Sequence, residues 1–360
     1  MINENRQGRV GGCAACPHQP RRFSLITPNP FFHRIRGFRS RRIRAVQKPR
    51  CPFLAPDRNG RTTRRPDMAK ARFDIKQHVT DTIIKQIEAG TPPWRKPWTG
   101  DMAGASFPLR HNGEKYQGVN VLMLWATAMM HGYQSARWMT FKQALELGGC
   151  VKKGAKSTKS VYYGTYEKEV DGEAETVRVV KYFSVFNVDQ IEGLPEEYYI
   201  RPEPPRDLGT EANPELDSFF DAIGAEIVTS DKPQAYYDPK NDQVHMPPVA
   251  TFYDAAGYYG TLSHEIGHYV LADHRIGTQK KFANRAEYSM GELEAEIFSA
   301  FLAVHLGFEP HFDQTAAYVE GWLKALKDDK NAIFKAAAQA QKAFDYVLGK
   351  QSVAAVSEAA

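Results

Sequence analysis

From Phe73 the chain takes on a helical rhythm. Ile75, Val79, Ile83, Ile84 and Ile87 recur every three to four residues, which lays them on one face of a helix. Gly90 ends that helix and Pro92-Pro93 prevents its return. A second helix is predicted over about 119–131. Thr140 is placed to cap a third, which begins at Phe141 and stops at Gly148-Gly149. The rhythm then changes. Ser160 to Tyr166 reads as a strand, Asp171-Gly172 as a hairpin turn, and Thr176 to Val188 as one or two returning strands.

Residues 196–210 hold Pro202, Pro204 and Pro205 among charges and read as a linker. Beyond it come a short helix at Leu216–Ile223 and a strand at Ala225–Val228. A hairpin follows, from Ala235 to Pro247 around the turn Asp238–Asp242. Pro247-Pro248 suits a sheet edge for its second strand. Tyr258, Tyr259, Leu262, Ile266, Tyr269 and Val270 mark the apolar face of a further helix. Three more are predicted at 286–307, 315–327 and 332–348, with a frayed tail from Gln351. The pattern gives an α+β chain of two domains, residues 68–195 and 211–350, joined by the 196–210 linker and followed by a tail, 351–360.

Residues 1–67 do not share this patterning. The chain of 360 residues carries a net charge of +5, but that figure hides a division. Residues 1–67 carry 16 Lys+Arg against 3 Asp+Glu, hence +13, and the remainder is −8. The first segment is rich in Arg, Pro and Gly, with no sustained period, and is read as a disordered basic arm or an upstream extension of the reading frame. Cys13-x-x-Cys16, with His18 and Cys51 beyond, could form a zinc knuckle, but the irregular spacing and the absence of core residues argue against it. No apolar run approaches the roughly 20 residues of a membrane helix. With Cys150 alone among the four cysteines in a patterned region, no disulfide framework is expected and a cytoplasmic location fits.

The sharpest chemical signal is His264-Glu265-Ile266-Gly267-His268. On a helix, His264 and His268 leave one face a turn apart, so both imidazoles can reach one metal ion. Glu265 points to an adjacent face, where it can act as general base. A divalent metal held there lowers the pKa of water to about 7, and a neighbouring carboxylate can take the proton. This is zinc-peptidase chemistry.

A catalytic zinc needs a third protein ligand and an open position. Three candidates exist. His274 lies ten residues after His264, the metzincin spacing, but Leu271 stands where that pattern needs Gly. Glu292 and Glu296 share a face of the 286–307 helix. Glu292 is favoured as the ligand, with Glu296 behind it to orient a histidine.

The 68–195 region interleaves aromatic and basic residues. Trp94, Arg95, Lys96, Trp98, Tyr116, Trp138, Lys152, Lys153 and Lys156 are candidates for a single-stranded DNA surface, with rings for bases and cations for phosphates. The competing reading is that most of these rings are core.

Several motifs in one order resemble the ArdC-type plasmid antirestriction proteins, relatives of the N-terminal part of TraC primases. They are Tyr116-Gln117-Gly118-Val119-Asn120 through Trp125, Trp138 through Ala144, Lys152 through Ser157, Val185 through Gln190, and His264–His268 with Glu292-x-x-Ala295-Glu296. The resemblance covers about residues 70–310 and implies an N-terminal domain that binds single-stranded DNA, with Asn120 among its contacts. It also implies a C-terminal zincin-like metallopeptidase domain. Glu-x-x-Ala-Glu looks like the segment supplying the third ligand in gluzincin-like peptidases, which supports Glu292. Residues 1–67 have no counterpart, and Tyr269-Val270-Leu271-Ala272 departs from the Trp-Thr-Gly-like stretch of the family.

The expected protein is therefore a DNA-associated zinc metallopeptidase that protects incoming plasmid DNA. Its peptide substrate is unnamed, and the 243–247 strand is the expected edge for strand addition. The alternative is a non-enzymatic coat for single-stranded DNA with a structural or regulatory metal domain. A primase accessory role finds no nucleotidyl-transfer carboxylate cluster.

Overall fold

The computed structural model describes residues 73–95, 106–170, 173–277, 285–310 and 316–358. The 1–67 arm, Lys96, Trp98 and the Asp171-Gly172 turn lie outside the described residues.

Helix α1 spans Ile75–Glu88, where Asp74 caps the first turn by accepting from the N–H groups of Lys76 and Gln77. Helix α2, Val119–His131, is apolar nearly all round and is correspondingly buried. Strand β1 (Trp138–Met139) leads into α3 (Phe141–Glu146), where Thr140 and Gln143 form a capping box. Strands β2 (Cys150–Val151) and β5 (Ile191–Glu192) pair with each other. Between them runs a long antiparallel ribbon, β3 (Thr158–Val170) with β4 (Glu173–Asn187), whose far side pairs with β1.

Helix α4 (Pro214–Asp221) opens the second half, followed by β6 (Glu226–Thr229), β7 (Tyr236–Asp238) and β8 (Gln243–Met246). Four helices complete the chain: α5 (Ala255–Leu271), α6 (Arg285–Leu306), α7 (Ala316–Asp328) and α8 (Ala332–Glu358). Helix α8 outruns its expected end at 348 and continues through Gly349, with the Gln351 amide donating to Phe219 O.

One expectation is corrected here. Strand β8 is the centre of its sheet, parallel to β6 and antiparallel to β7, so it has no free edge for a substrate. Pro247-Pro248 follows its last paired residue, Met246, and so interrupts neither ladder.

The 196–210 segment is strapped down. Arg206 N–H donates to Gly307 O, and its guanidinium to Leu306 O at 2.6 Å, which satisfies carbonyls at the C-terminus of α6.

The halves on either side of it share one hydrophobic core. Phe301 of α6 lies 5.8 Å, ring to ring, from both Phe107 and Trp125, and 6.3 Å from Phe344 of α8. Residues 68–195 made alone would expose Phe107 and Trp125, so functional tests belong on the full chain.

Candidate metal centre

Helices α5 and α6 meet along a seam of small residues. Gly260 and Gly267 are seven apart on α5, and Ala295 and Ser299 four apart on α6, so each pair lies on one face. Ser299 Oγ donates to Gly260 O. A Cβ on Gly267 would fall 3.1 Å from Ala295 Cα and 3.0 Å from Phe298, so a larger residue would force the helices apart. This close approach is what brings Glu292 to the histidines. The sequence carries the signal in the Gly between Ile266 and His268, but its meaning needs the partner helix.

Among the described residues, His264, His268 and Glu292 form a group whose donor atoms all lie within 4.8 Å of one another. The two Nε2 atoms are 3.1 Å apart. Glu292 Oε2 lies 3.3 Å from His264 Nε2, and Oε1 lies 3.5 Å from His268 Nε2. Ligands about 2.1 Å from a tetrahedral ion sit about 3.4 Å from one another. The three spacings fit that figure, and the two-imidazole, one-carboxylate donor set suits a divalent metal. His274 is elsewhere: it is exposed and pairs with Asp242 at 3.2 Å, beside Arg275.

The surroundings are acidic. Glu265, Glu292 and Glu296 are all buried, and buried carboxylates need counter-charge. Burial disfavours a charged His264, but hydrogen bonds to Glu292 and Glu296, with Glu265 nearby, outweigh it and push its pKa up. Burial also opposes ionisation of Glu292, yet the two imidazoles hold its carboxyl well below the usual range.

Supporting contacts orient these groups. Glu296 Oε2 faces His264 Nδ1 at 3.6 Å, on the far side of the ring from the ligand group. Tyr237 N–H, on β7, donates to Glu265 Oε2 at 2.9 Å and leaves the other oxygen available as an acceptor. Tyr288, one turn before Glu292, shares a 3.2 Å hydrogen bond with Tyr318. Burial first, then Tyr318 and Glu292, push the Tyr288 hydroxyl pKa up. Neither Tyr237 nor Tyr288 was expected from the motif, although the spacing of Tyr288 from Glu292 was a readable cue.

The expected DNA contacts scatter. Trp94, Tyr116 and Trp138 are buried, so none offers a face for stacking. Trp94 sets its ring edge-on to Trp322, whose Nε1 donates to Ser289 O on α6. Asn120 is committed at both ends of its amide, to Val161 N and O and to Ser160 Oγ, and so fastens β3 to α2. Lys152, Lys153 and Lys156 do lie exposed, with Lys152 Nζ donating to Asp189 O.

Arg95 points inward instead, with Nε 3.5 Å from Glu296 Oε1. It thereby continues a chain from His264 through Glu296 to the loop after α1. Arg95→Ala and Glu296→Gln should each weaken metal affinity by roughly 10–100-fold, as loss of a group that orients a ligand does. Competition with a chromophoric chelator measures this. Affinities within twofold of wild type would show that the contact does not support His264.

The comparisons agree with this geometry. Residues 214–339 match the zincin-like metallopeptidase family, and residues 73–186 match the N-terminal domain of the anti-restriction factor ArdC. The metal-free crystal structure of the antirestriction ArdC protein from the R388 plasmid is 53% identical, with a TM-score of 0.71. It is matched over 78% of this chain and 98% of its own. The Mn(II)-bound structure of that protein, at the same identity, gives a TM-score of 0.69 over 77% and 98% of the two chains. A DNA primase TraC of Escherichia coli is 34% identical over 78% of this chain. The chain spans 28% of the length of that primase. A divalent-metal site on a zincin-like half, an ArdC N-terminal half and near-complete overlap with a solved ArdC protein lead to one assignment: this chain belongs to the ArdC antirestriction family.

Proposed function

We propose that the protein is a metal-dependent peptidase that acts at single-stranded DNA and so protects incoming plasmid DNA. The observation that carries this is the division of labour on α5. His264 and His268 turn toward Glu292, while Glu265 is held apart by the Tyr237 N–H. A purely structural site has no need of that fourth group.

In this reading His264, His268 and Glu292 would hold the divalent ion, a donor set that suits zinc. The ion supplies Lewis acidity to a peptide carbonyl and acidity to water. Glu265 takes the proton of the attacking water and returns it to the departing amide nitrogen. Tyr237 N–H fixes the carboxylate during both transfers. Glu296 keeps the proton of His264 on Nδ1, so that Nε2 remains a donor to the ion. An extended peptide can add only at an outer strand of the sheet, and β7 is the one that touches Glu265.

The test compares metal-loaded wild type with Glu265→Gln for casein cleavage, with and without single-stranded DNA. Loss of a general base should slow cleavage by about 10²–10⁴-fold, with metal content unchanged. Equal rates in the two proteins would overturn the assignment of Glu265. Binding of DNA without any cleavage by wild type would favour the non-enzymatic coat.

A further inference from the structure

We propose that the β3–β4 ribbon, together with Phe73, is the platform on which unpaired bases stack. This rests on the reading that the protein binds single-stranded DNA, and it moves the contact away from the tryptophans. Phe73, Tyr162, Tyr163 and Tyr182 are 44%, 58%, 58% and 43% exposed. Three of these exposed rings, Phe73, Tyr163 and Tyr182, gather on one side of the ribbon, which is unusual for a surface without a partner.

The pairing register orders them. Val161 faces Tyr182 and Tyr163 faces Val180, so Tyr163 and Tyr182 are diagonal neighbours on one face of the ribbon. The Phe73 ring meets that of Tyr182 edge-on at 5.1 Å. Tyr162 lies on the opposite face, paired with Lys181.

Cations accompany the rings. Lys159 Nζ lies 5.6 Å from the centre of the Tyr182 ring, anchored by a 2.7 Å hydrogen bond to Ser184 Oγ. Lys76 and Lys181 line a cleft of about 550 Å³ between residues 73–76 and 180–182. The acid in that lining, Asp74, is already engaged by Lys330 at 2.6 Å and by the first N–H groups of α1. The cleft thus presents the Phe73 and Tyr182 rings, with Lys76 in its lining and Lys159 against Tyr182. Stacking needs only a π-face and phosphate contact only charge, and a duplex, with its bases already stacked and paired, cannot offer its faces to these rings. Single-stranded nucleic acid is the partner that fits.

The test uses the full chain and a fluorescently labelled oligothymidylate followed by anisotropy. Tyr163→Ala, Tyr182→Ala and Phe73→Ala should each weaken binding by about 5- to 100-fold for a ring on which a base stacks. Tyr163→Phe and Tyr182→Phe keep the ring and should bind nearly as wild type. Lys159→Ala with Lys181→Ala should flatten the salt dependence. Photo-crosslinking of a thiothymidine oligonucleotide to wild type serves in case an alanine variant misfolds, with adducts expected within residues 73–76, 159–163 and 180–182. Folded ring variants that bind as wild type, or adducts confined to the Lys152–Lys156 turn, would overturn the platform and leave DNA binding standing. Failure of wild type to bind the oligonucleotide would remove both.

Discussion

His264→Ala, His268→Ala and Glu292→Ala should each strip the divalent metal from the purified protein, and His274→Ala should not. The first three remove a donor from a group whose atoms lie within 4.8 Å of one another. Two remaining donors cannot complete the set of three protein ligands that such an ion needs. The loss should therefore exceed the roughly 10–100-fold expected for a supporting residue such as Glu296. His274 is exposed and paired with Asp242, so its removal changes a surface contact. Metal content by atomic emission after dialysis, with circular dichroism to confirm folding, checks all four variants. A His274→Ala protein without metal, or a Glu292→Ala protein that keeps it, would assign the third ligand differently.

Phe301→Ala should lower the unfolding free energy by about 3–5 kcal/mol, the usual cost of emptying a large buried aromatic site. Phe301 is fully buried and touches rings from both sides of the 196–210 segment. The two halves should consequently lose stability together. Urea titration followed both by tryptophan fluorescence and by far-ultraviolet circular dichroism should give coincident transitions, shifted equally. Two separated transitions, with only one moved by the substitution, would show that the halves unfold independently.

What could be read from the sequence was local. The helices were legible because their apolar residues recur on one face, and because Thr140 sits where a cap is needed. His264 and His268 were legible because one turn of a single helix fixes their relation. Glu292 required a second helix at the right distance, set by Gly260 and Gly267 against Ala295 and Ser299. The Glu-x-x-Ala-Glu resemblance pointed to it, but the spacing within α5 could not. Trp94 and Trp138 could not be sorted from the sequence, because a large ring beside a cation has the same letters in a core as on a binding face. Burial of Trp94 and Trp138 is decided by what packs on them from far along the chain, such as Trp322. The tyrosines of the ribbon were overlooked for the converse reason. Strand patterning identified Ser160–Tyr166 as a strand but could not say that Tyr162 and Tyr163, on its two faces, both stand exposed. Pro202, Pro204 and Pro205 suggested a linker, and Arg206, through its backbone N–H and its guanidinium, ties that segment to the end of α6.

The central claim is that three side chains from α5 and α6 hold one divalent ion while Glu265 stands beside it as a base. An anomalous difference map from crystals of this protein grown with Mn(II) or Zn(II) addresses it most directly. The expected result is one strong peak bounded by His264 Nε2, His268 Nε2 and the Glu292 carboxylate, with Glu265 outside the ligand set and still bonded to Tyr237 N–H. A peak at His274 and Asp242, or one with Glu265 as a direct ligand in place of Glu292, would contradict it.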